Sequence, residues 1–176
     1  YTRSLVGSVN VYKRQLSTYL EEHASLVRER RVLELGAAAG LPSIVARKTG
    51  ASSVVATDYP DPDLLQNLAH NVERYGGHVV GFIWGADGAP LLTHAPEGFD
   101  LVLLSDLIFN HQAHPALIDT LDRCMRRDGQ ALVFFITTDR TSLSAIWLSS
   151  HSQKNVDTCA QSYRNGFCRY VFAVVC

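Results

Sequence analysis

The stretch VLELGAAAGLPS, residues 32–43, joins a short apolar segment to a loop made almost entirely of glycine and alanine. This order predicts a strand that ends in a tight loop, and Pro42 fits the first turn of a following helix. Gly36 and Gly40 remove side-chain bulk from the loop, and the alanines between them add little. We therefore expect a flat, polar ligand to lie directly on this backbone.

Strands and helices alternate on both sides of this loop. The strands are predicted at RVLEL (31–35), SSVVATD (52–58), HVVGFIW (78–84), FDLVLLSD (99–106) and QALVFFIT (130–137). Helices are predicted over about 11–29, from Pro42 to Gly50, over 61–75 and over HPALIDTLDRCMRRDG (114–129), with a linker before the fourth strand. Because the strands are apolar at nearly every position, they predict a parallel sheet covered on both faces. The expected fold class is therefore α/β, a doubly wound, mostly parallel Rossmann-like sheet.

The best-defined helix of the sequence follows the second strand. Asp61 is a suitable N-cap, Pro62 occupies the first helical position, and Gly76 and Gly77 supply a stop. An apolar stripe runs along one face of this helix: Leu64, Leu65, Leu68 and Val72.

The C-terminal part has a weaker pattern. TSLSAIWLSS (141–150) predicts a short helix and FCRYVFAVVC (167–176) a last strand, with a polar loop between them. We expect a single domain over residues 1–176. It divides into an N-terminal helix region (1–30), a ligand-binding core (31–137) and an atypical C-terminal tail (138–176) whose strands are incomplete.

Composition excludes several classes of function. The chain has 176 residues, of which 47% are hydrophobic, and its net charge is -1 with 16 basic and 17 acidic side chains. No extended basic run is available to bind nucleic acid, and no segment approaches the roughly 20 apolar residues of a membrane helix. We expect a monomeric cytoplasmic protein that binds neither nucleic acid nor membrane.

The loop spacing narrows the choice of ligand. A phosphate-binding P-loop is excluded because Gly40 is followed by Leu, Pro and Ser rather than by Lys and Ser or Thr. A dinucleotide fingerprint starting at Gly36 departs at Ala38 and Leu41. The pattern acid-x-Gly-x-small-x-Gly is met by Glu34, Gly36, Ala38 and Gly40, with one glycine replaced by alanine.

Further candidate residues lie at the ends of three predicted strands. Asp58, 22 residues after Gly36, suits the two hydroxyls of a ribose, although the same carboxylate would serve a nicotinamide dinucleotide. Trp84 can stack on an adenine ring or simply pack in the core. Ser105 and Asp106 end the fourth strand and Asn110 comes shortly after it, where these residues would lie near a transferred group or cap a helix.

A metal site is not expected. The four cysteines form no CxxC pair, so reduced thiols are the simpler interpretation. His111 and His114 lie near Asp106 in the sequence, but imidazoles at a helix start are more often surface or capping groups.

Taken together, LELGAAAGLPS, VVATDYPDPDLLQNL, GFIWG and LVLLSDLIFNHQAH resemble the seven-strand S-adenosylmethionine-dependent methyltransferases. The resemblance covers roughly residues 31–135. It is closest to the fungal protein N-terminal and lysine methyltransferases that modify elongation factor 1-alpha, once described as nicotinamide N-methyltransferase-like. It implies S-adenosyl-L-methionine as cofactor and assigns these contacts: Gly36, Ala37 and Ala38 to the methionine part, Asp58 to the ribose, Trp84 to the adenine, and Ser105 near the reacting end.

Two departures from that family bear on activity. The segment VGSVNVYKRQLSTYL carries no Trp where the family has a tryptophan-bearing lid, and the residues after the fifth strand do not match. We expect a truncated or aberrantly spliced product of such a gene. Its predicted function is methylation of a protein amine, with Asp106 orienting that amine. The alternatives are a small-molecule N-methyltransferase such as one acting on nicotinamide, an inactive cofactor-binding module, and a nicotinamide-dependent oxidoreductase.

Overall fold

The computed structural model of the chain describes residues 13–107, 111–137, 156–159 and 169–175. Its helices are α1 (13–22), α2 (Leu41–Thr49), α3 (Pro62–Val72), α4 (Ala89–Leu92) and α5 (His114–Cys124). Its strands are β1 (Arg31–Leu35), β2 (Ser53–Asp58), β3 (His78–Gly81), β4 (Phe99–Ser105), β5 (Met125–Thr137), β6 (Val156–Cys159) and β7 (Arg169–Val175).

The strands form one sheet in the order β3-β2-β1-β4-β5-β7-β6. β1 to β5 are mutually parallel, and β7 runs antiparallel to both β5 and β6. Strand order reverses at β1, because β2 lies on one side of it and β4 on the other. The predicted doubly wound α/β fold is confirmed, and the loop after β1 stands at its switch point.

Alternate residues of the central strands supply two cores, one on each face of the sheet. Leu33 and Leu35 of β1 pack with α4 and α5, whereas Val32 packs on the other face with α1 and α2. Because side chains alternate along a strand, Glu34 falls on the same face as Val32. A carboxylate is thereby placed beneath two helices.

The predicted N-cap and glycine stop of α3 are confirmed, whereas Leu64 and Leu65 of the predicted apolar stripe are only partly buried. The Asp61 carboxylate accepts a hydrogen bond from the Leu64 amide at 3.0 Å, as an N-cap should. Leu68 and Val72 are buried against the sheet. The helix is prolonged by one 3-10 turn and stops at Gly76, which has a φ of 75°.

Several predicted boundaries are wrong for identifiable reasons. The N-terminal helix ends at residue 22 rather than 29, because the chain turns back into β1 through a 3-10 turn and a left-handed Glu29 with φ of 62°. β3 ends at Gly81 rather than at residue 84, because its neighbour β2 ends opposite it at Asp58. The linker before β4 contains the short helix α4.

The predicted helix over 114–129 is also too long. It stops at Cys124, and β5 begins at Met125, which pairs with Phe99. The next paired residue of β5 is Gln130, so the four residues between them bulge out of the ladder. The polar residues after Cys124 have no alternating strand pattern, so the sequence does not show that the backbone changes from helix to strand there.

The C-terminal tail adds two strands beyond β5. The predicted last strand is confirmed as β7, which pairs with β5 over seven residues. Val156–Cys159, predicted as part of a loop, is instead the edge strand β6, because its backbone pairs with β7. The helix predicted over 141–150 lies outside the described residues. None of the helices in the described parts of the chain has the length and apolarity needed to cross a membrane.

Candidate functional site

A cavity of about 450 Å³ opens at the carboxyl ends of the parallel strands. Its lining comes from α1, the loop after β1, the ends of β2 and β4, the segment after β3, and the start of α5. The lining residues are Lys13, Gly36, Ala38, Asp58, Tyr59, Phe82, Ile83, Trp84, Ser105, Asp106, Leu107, Ala113 and Ala116. Ligand sites in open α/β sheets occur at this position, because loops on both sides of the switch point diverge there.

The backbone of the loop after β1 is bent through left-handed conformations. Gly36, Ala38 and Gly40 have φ of 65°, 52° and 79°. The Ala37 amide donates to the Thr57 carbonyl at 2.8 Å, and the Ala38 amide donates to the Asp58 carboxylate at 2.6 Å. The end of β2 therefore holds the loop in place.

Two positions of this loop require glycine for different reasons. A Cβ on Gly36 would lie 2.5 Å from the Leu107 side chain, and Gly36 also lines the cavity. A Cβ on Gly40 would collide with the side chains of Val72 and Leu68 on α3. Gly40 thus permits helix packing, and only Gly36 contributes to the cavity wall.

Glu34 is fully buried beneath α1 and α2. Its carboxylate accepts hydrogen bonds from the Ser43 amide at 2.9 Å and the Ser43 hydroxyl at 2.5 Å. The Lys13 ammonium lies 3.2 Å from its other oxygen and donates to the Gly36 carbonyl at 2.8 Å. A buried charge needs this combination of a counter-ion and hydrogen bonds. The result fixes α1 and α2 to the start of the loop.

Trp84 contributes to both the cavity and the core. Its side chain is half-buried, packs against the core under α5, and forms part of the cavity wall. The next residue, Gly85, donates its amide to the Thr120 hydroxyl at 2.8 Å. The two alternatives raised by the sequence, ring stacking and packing, are therefore compatible at this position.

Ser105 and Asp106 lie at the end of β4. The Ser105 hydroxyl is buried and has no hydrogen-bond partner among the residues that the structure describes. Asp106 has a φ of 60°, and its amide donates to the Phe134 carbonyl at 2.7 Å. Partial burial raises the pKa of the Asp106 carboxyl, an effect that the positive charge of Lys13 partly offsets.

Most of the residues selected from the sequence meet at this cavity. Its wall includes Gly36, Ala38, Asp58, Trp84, Ser105 and Asp106. Three others support the loop from outside the wall: Glu34, Ala37 and Gly40. Asn110 lies outside the described residues.

Sequence reasoning missed Lys13. It precedes Leu16 and Leu20 on one side of α1, and both leucines are buried. A lysine at helical spacing with buried leucines is the signal that could have found it, because a charge there must meet a buried partner.

The described residues contain no cluster of His, Cys, Asp or Glu suited to a metal ion. Cys124 is buried and free, and burial raises the pKa of its thiol to about 11. A thiol in that state is a poor nucleophile and a poor metal ligand.

Comparisons with known proteins identify relatives of this chain. The family model described as lysine methyltransferase matches residues 8–154. The protein N-terminal and lysine N-methyltransferase EFM7 of Eremothecium gossypii is 50% identical over 131 residues, covering 66% of this chain and 49% of that protein. Its counterpart in Schizosaccharomyces pombe is 42% identical over 140 residues, covering 74% and 55%. The chain spans about half the length of these relatives.

A solved structure with lower sequence identity supports the fold. The ribosomal protein L11 methylase of Lactobacillus delbrueckii subsp. bulgaricus superposes with a TM-score of 0.59 at 20% identity, covering 93% of this chain and 78% of that one. At this identity the likeness concerns the fold alone.

Proposed function

The chain belongs to the lysine methyltransferase family, and from that premise we propose that it transfers a methyl group from S-adenosyl-L-methionine to an amine of a protein. The observation that carries the proposal is the meeting of Gly36, Asp58 and Trp84 at one cavity. A small-residue loop, a carboxylate and an aromatic ring then stand side by side at the switch point of the sheet.

The residues present fit such a nucleoside. The cavity volume of about 450 Å³ lies within the range of roughly 300–1,000 Å³ typical of small-molecule sites. One Asp58 oxygen accepts from the Ala38 amide and the other from the Tyr59 amide at 2.7 Å, and a carboxylate has further lone pairs for ribose hydroxyls. The Ser105 hydroxyl, buried without a partner among the described residues, is available to a bound molecule. Bound there, S-adenosyl-L-methionine supplies an activated methyl group on a sulfonium.

The protein's own part in the reaction is chiefly positioning. The acceptor amine must be neutral to attack, and near pH 7 this deprotonation costs a lysine about 4.6 kcal/mol and an α-amine only about 1 kcal/mol. N-terminal amines are therefore the easier acceptors. Asp106, at the end of β4, accepts a hydrogen bond from the incoming amine and orients it. Because an ionised carboxylate favours the ammonium form, Asp106 is assigned orientation rather than proton removal.

Elongation factor 1-alpha is the protein substrate that we propose, and the cytoplasm, where translation takes place, is the compartment. This assignment rests on the resemblance of TDYPDPDL and SDLIFNH to the enzymes that modify that factor. We propose that the chain acts as a monomer.

Labelled methyl transfer tests the proposal. The chain is incubated with methyl-labelled S-adenosyl-L-methionine and either elongation factor 1-alpha or nicotinamide. We expect label in the protein, and the labelled peptide identifies an N-terminal or lysine acceptor. Asp58→Ala should abolish most of the label, whereas Asp128→Ala, at an exposed carboxylate in the bulge of β5, should not. Label in nicotinamide alone, or in neither acceptor, contradicts the proposal.

A further inference from the structure

Thr120 is a fully buried residue in the middle of α5, and its hydroxyl makes two hydrogen bonds. It donates to the Ala116 carbonyl one turn earlier at 2.9 Å, a common bond for a threonine inside a helix. It also accepts from the Gly85 amide at 2.8 Å, and Gly85 lies 35 residues away in the chain. The hydroxyl therefore joins α5 to the segment that follows β3.

Both sides of this connection reach the cavity wall. Trp84, the residue before Gly85, lines the cavity on the side of β3, and Ala116 lines it on the side of α5. The two sides are in close contact, because a Cβ on Gly85 would lie 3.1 Å from the Cβ of Ala116. Thr120 is not one of the described residues that line the cavity. It stands behind the wall, where it can affect a ligand only through the residues in front of it.

The hydrogen bond from Gly85 holds the backbone that carries Trp84. Gly85 has a left-handed φ of 82°, and the Ala86 amide closes a turn onto the Ile83 carbonyl at 3.0 Å, with Trp84 inside that turn. β3 has ended before the turn begins, so strand pairing with β2 does not hold it in place. The Thr120 hydroxyl supplies an attachment to α5 instead.

Apolar packing and the hydrogen bond make different contributions to the position of the Trp84 ring. The ring packs against the core under α5, but the hydrophobic effect is not directional and does not fix the angle of the ring. A hydrogen bond weakens steeply when it is misaligned, so the bond to Thr120 restricts the backbone next to the ring. A fixed backbone in turn limits the directions in which the indole can point.

We propose that Thr120 is a positioning residue for Trp84, an inference that rests on the proposed function, in which this ring lies beside the adenine of the cofactor. The hydroxyl holds the turn after β3 against α5, and the indole then presents a fixed face to the base. A ring that is already ordered loses less conformational entropy when the ligand binds. Thr120 thereby raises the affinity for the nucleoside without touching it.

A double-mutant cycle between Thr120 and Trp84 tests this role. S-adenosylhomocysteine is titrated by calorimetry into the unaltered chain, Thr120→Val, Trp84→Leu and the double variant. Valine has nearly the shape of threonine but no hydroxyl, so the Gly85 amide loses its acceptor. We expect Thr120→Val to weaken binding about threefold to tenfold when Trp84 is present, and less than about twofold when Trp84 has been replaced. A purely structural role of Thr120 predicts the same loss in both backgrounds.

Two further variants assign the effect to the hydroxyl. Thr120→Ser retains the hydroxyl and should bind within about twofold of the unaltered chain. Thr18→Val makes the same substitution at an exposed threonine of α1, whose hydroxyl donates to the Arg14 carbonyl of its own helix at 3.1 Å, and it should leave the affinity unchanged. Urea unfolding shows whether each variant folds. Thr120→Cys, whose thiol is a weaker acceptor, replaces Thr120→Val in the cycle if the latter does not fold.

The outcomes separate this inference from the proposed function. Binding to the unaltered chain, with equal losses from Thr120→Val in the two Trp84 backgrounds or no loss in either, would overturn the positioning role and leave the nucleoside site intact. A loss in Thr120→Ser as large as in Thr120→Val would also overturn it. Absence of binding to the unaltered chain would contradict the proposed function itself, and the inference with it.

Discussion

The backbone amide of Ala38 donates to the carboxylate of Asp58 over 2.6 Å, and this hydrogen bond joins the loop after β1 to the end of β2. It holds Ala38 in a left-handed conformation with φ of 52°, which alanine seldom adopts. The same carboxylate lines the cavity. Asp58 therefore shapes the loop and also places a carboxylate in the cavity wall.

Removing the Ser105 hydroxyl tests the proposed contact between this side chain and the cofactor. Ser105→Ala should leave the unfolding free energy unchanged or slightly raised, because the buried hydroxyl has no partner among the described residues. Affinity for S-adenosylhomocysteine should fall by about twofold to tenfold, the loss of one hydrogen bond of about 0.5–1.5 kcal/mol. Calorimetric titration measures the affinity.

Ser53→Ala is the matched control. The Ser53 hydroxyl is also buried without a partner among the described residues, but it lies at the start of β2, away from the cavity at the other end of that strand. Its affinity should equal that of the unaltered chain. A loss in Ser53→Ala as large as in Ser105→Ala would rule out the contact.

Alanine at Gly40 should destabilise the fold by about 2–4 kcal/mol. The substitution adds the strain of a left-handed alanine, about 1 kcal/mol, to a collision with Val72 and Leu68 of about 1–3 kcal/mol. Gly76→Ala is the matched control, because its φ of 75° is close to the 79° of Gly40 but a Cβ on Gly76 would, among the described residues, meet only Arg47, at 3.6 Å. In urea unfolding, Gly76→Ala should lose only the free energy of the left-handed strain, about 1 kcal/mol. Equal losses of unfolding free energy in the two variants would exclude packing against α3 as the reason for glycine at position 40.

Removal of the Glu34 carboxylate should lower the unfolding free energy strongly, because Lys13 and Ser43 would remain buried without their partner. Glu34→Ala removes the carboxylate that faces Lys13 and Ser43, and we expect a loss of about 3–5 kcal/mol in unfolding free energy. The exposed pair of Asp119 and Arg123, 2.9 Å apart, is the comparison, and Asp119→Ala should cost less than about 1 kcal/mol. A similar small loss in Glu34→Ala would contradict the buried ion pair.

Stability should fall in acid because of Asp100. Its partial burial would raise the pKa, but hydrogen bonds from Arg31 and Arg126 outweigh that effect and lower the pKa of Asp100 to about 2. A carboxyl with a lowered folded-state pKa stabilises the protein above its unfolded value near 3.9 and loses that contribution as the pH falls toward 2.

Unfolding measured between about pH 5 and pH 2 should therefore show a loss of about 1–2 kcal/mol from this group. Asp100→Asn should be less stable at pH 6 and less sensitive to acid across that interval. Parallel pH profiles of the two proteins would contradict the assignment.

The sequence predicted the elements around the site better than their ends. The strand before the glycine loop, the N-cap Asp61 and the glycine stop after α3 depend on local chemistry, which sequence displays directly. The end of β3 depends on where its neighbour β2 ends, and the start of β5 depends on pairing with Phe99. Such boundaries are set by distant partners.

The same distinction applies to the cavity. Asp58, Trp84 and Ser105 lie at the carboxyl ends of predicted strands, so parallel topology brings them to one edge. The packing of Gly40 against α3 and the pairing of Lys13 with Glu34 join residues from separate elements. Neither contact has a local motif, and only the assembled fold shows it.

The central claim is that this cavity binds an adenosyl nucleoside through Asp58, and one calorimetric titration with S-adenosylhomocysteine tests it most directly. We predict saturable binding to the unaltered chain, at least tenfold weaker binding to Asp58→Ala, a loss of about 1.4 kcal/mol, and unchanged binding to Asp128→Ala. Absence of binding to the unaltered chain, or equal affinity in Asp58→Ala, would contradict the account.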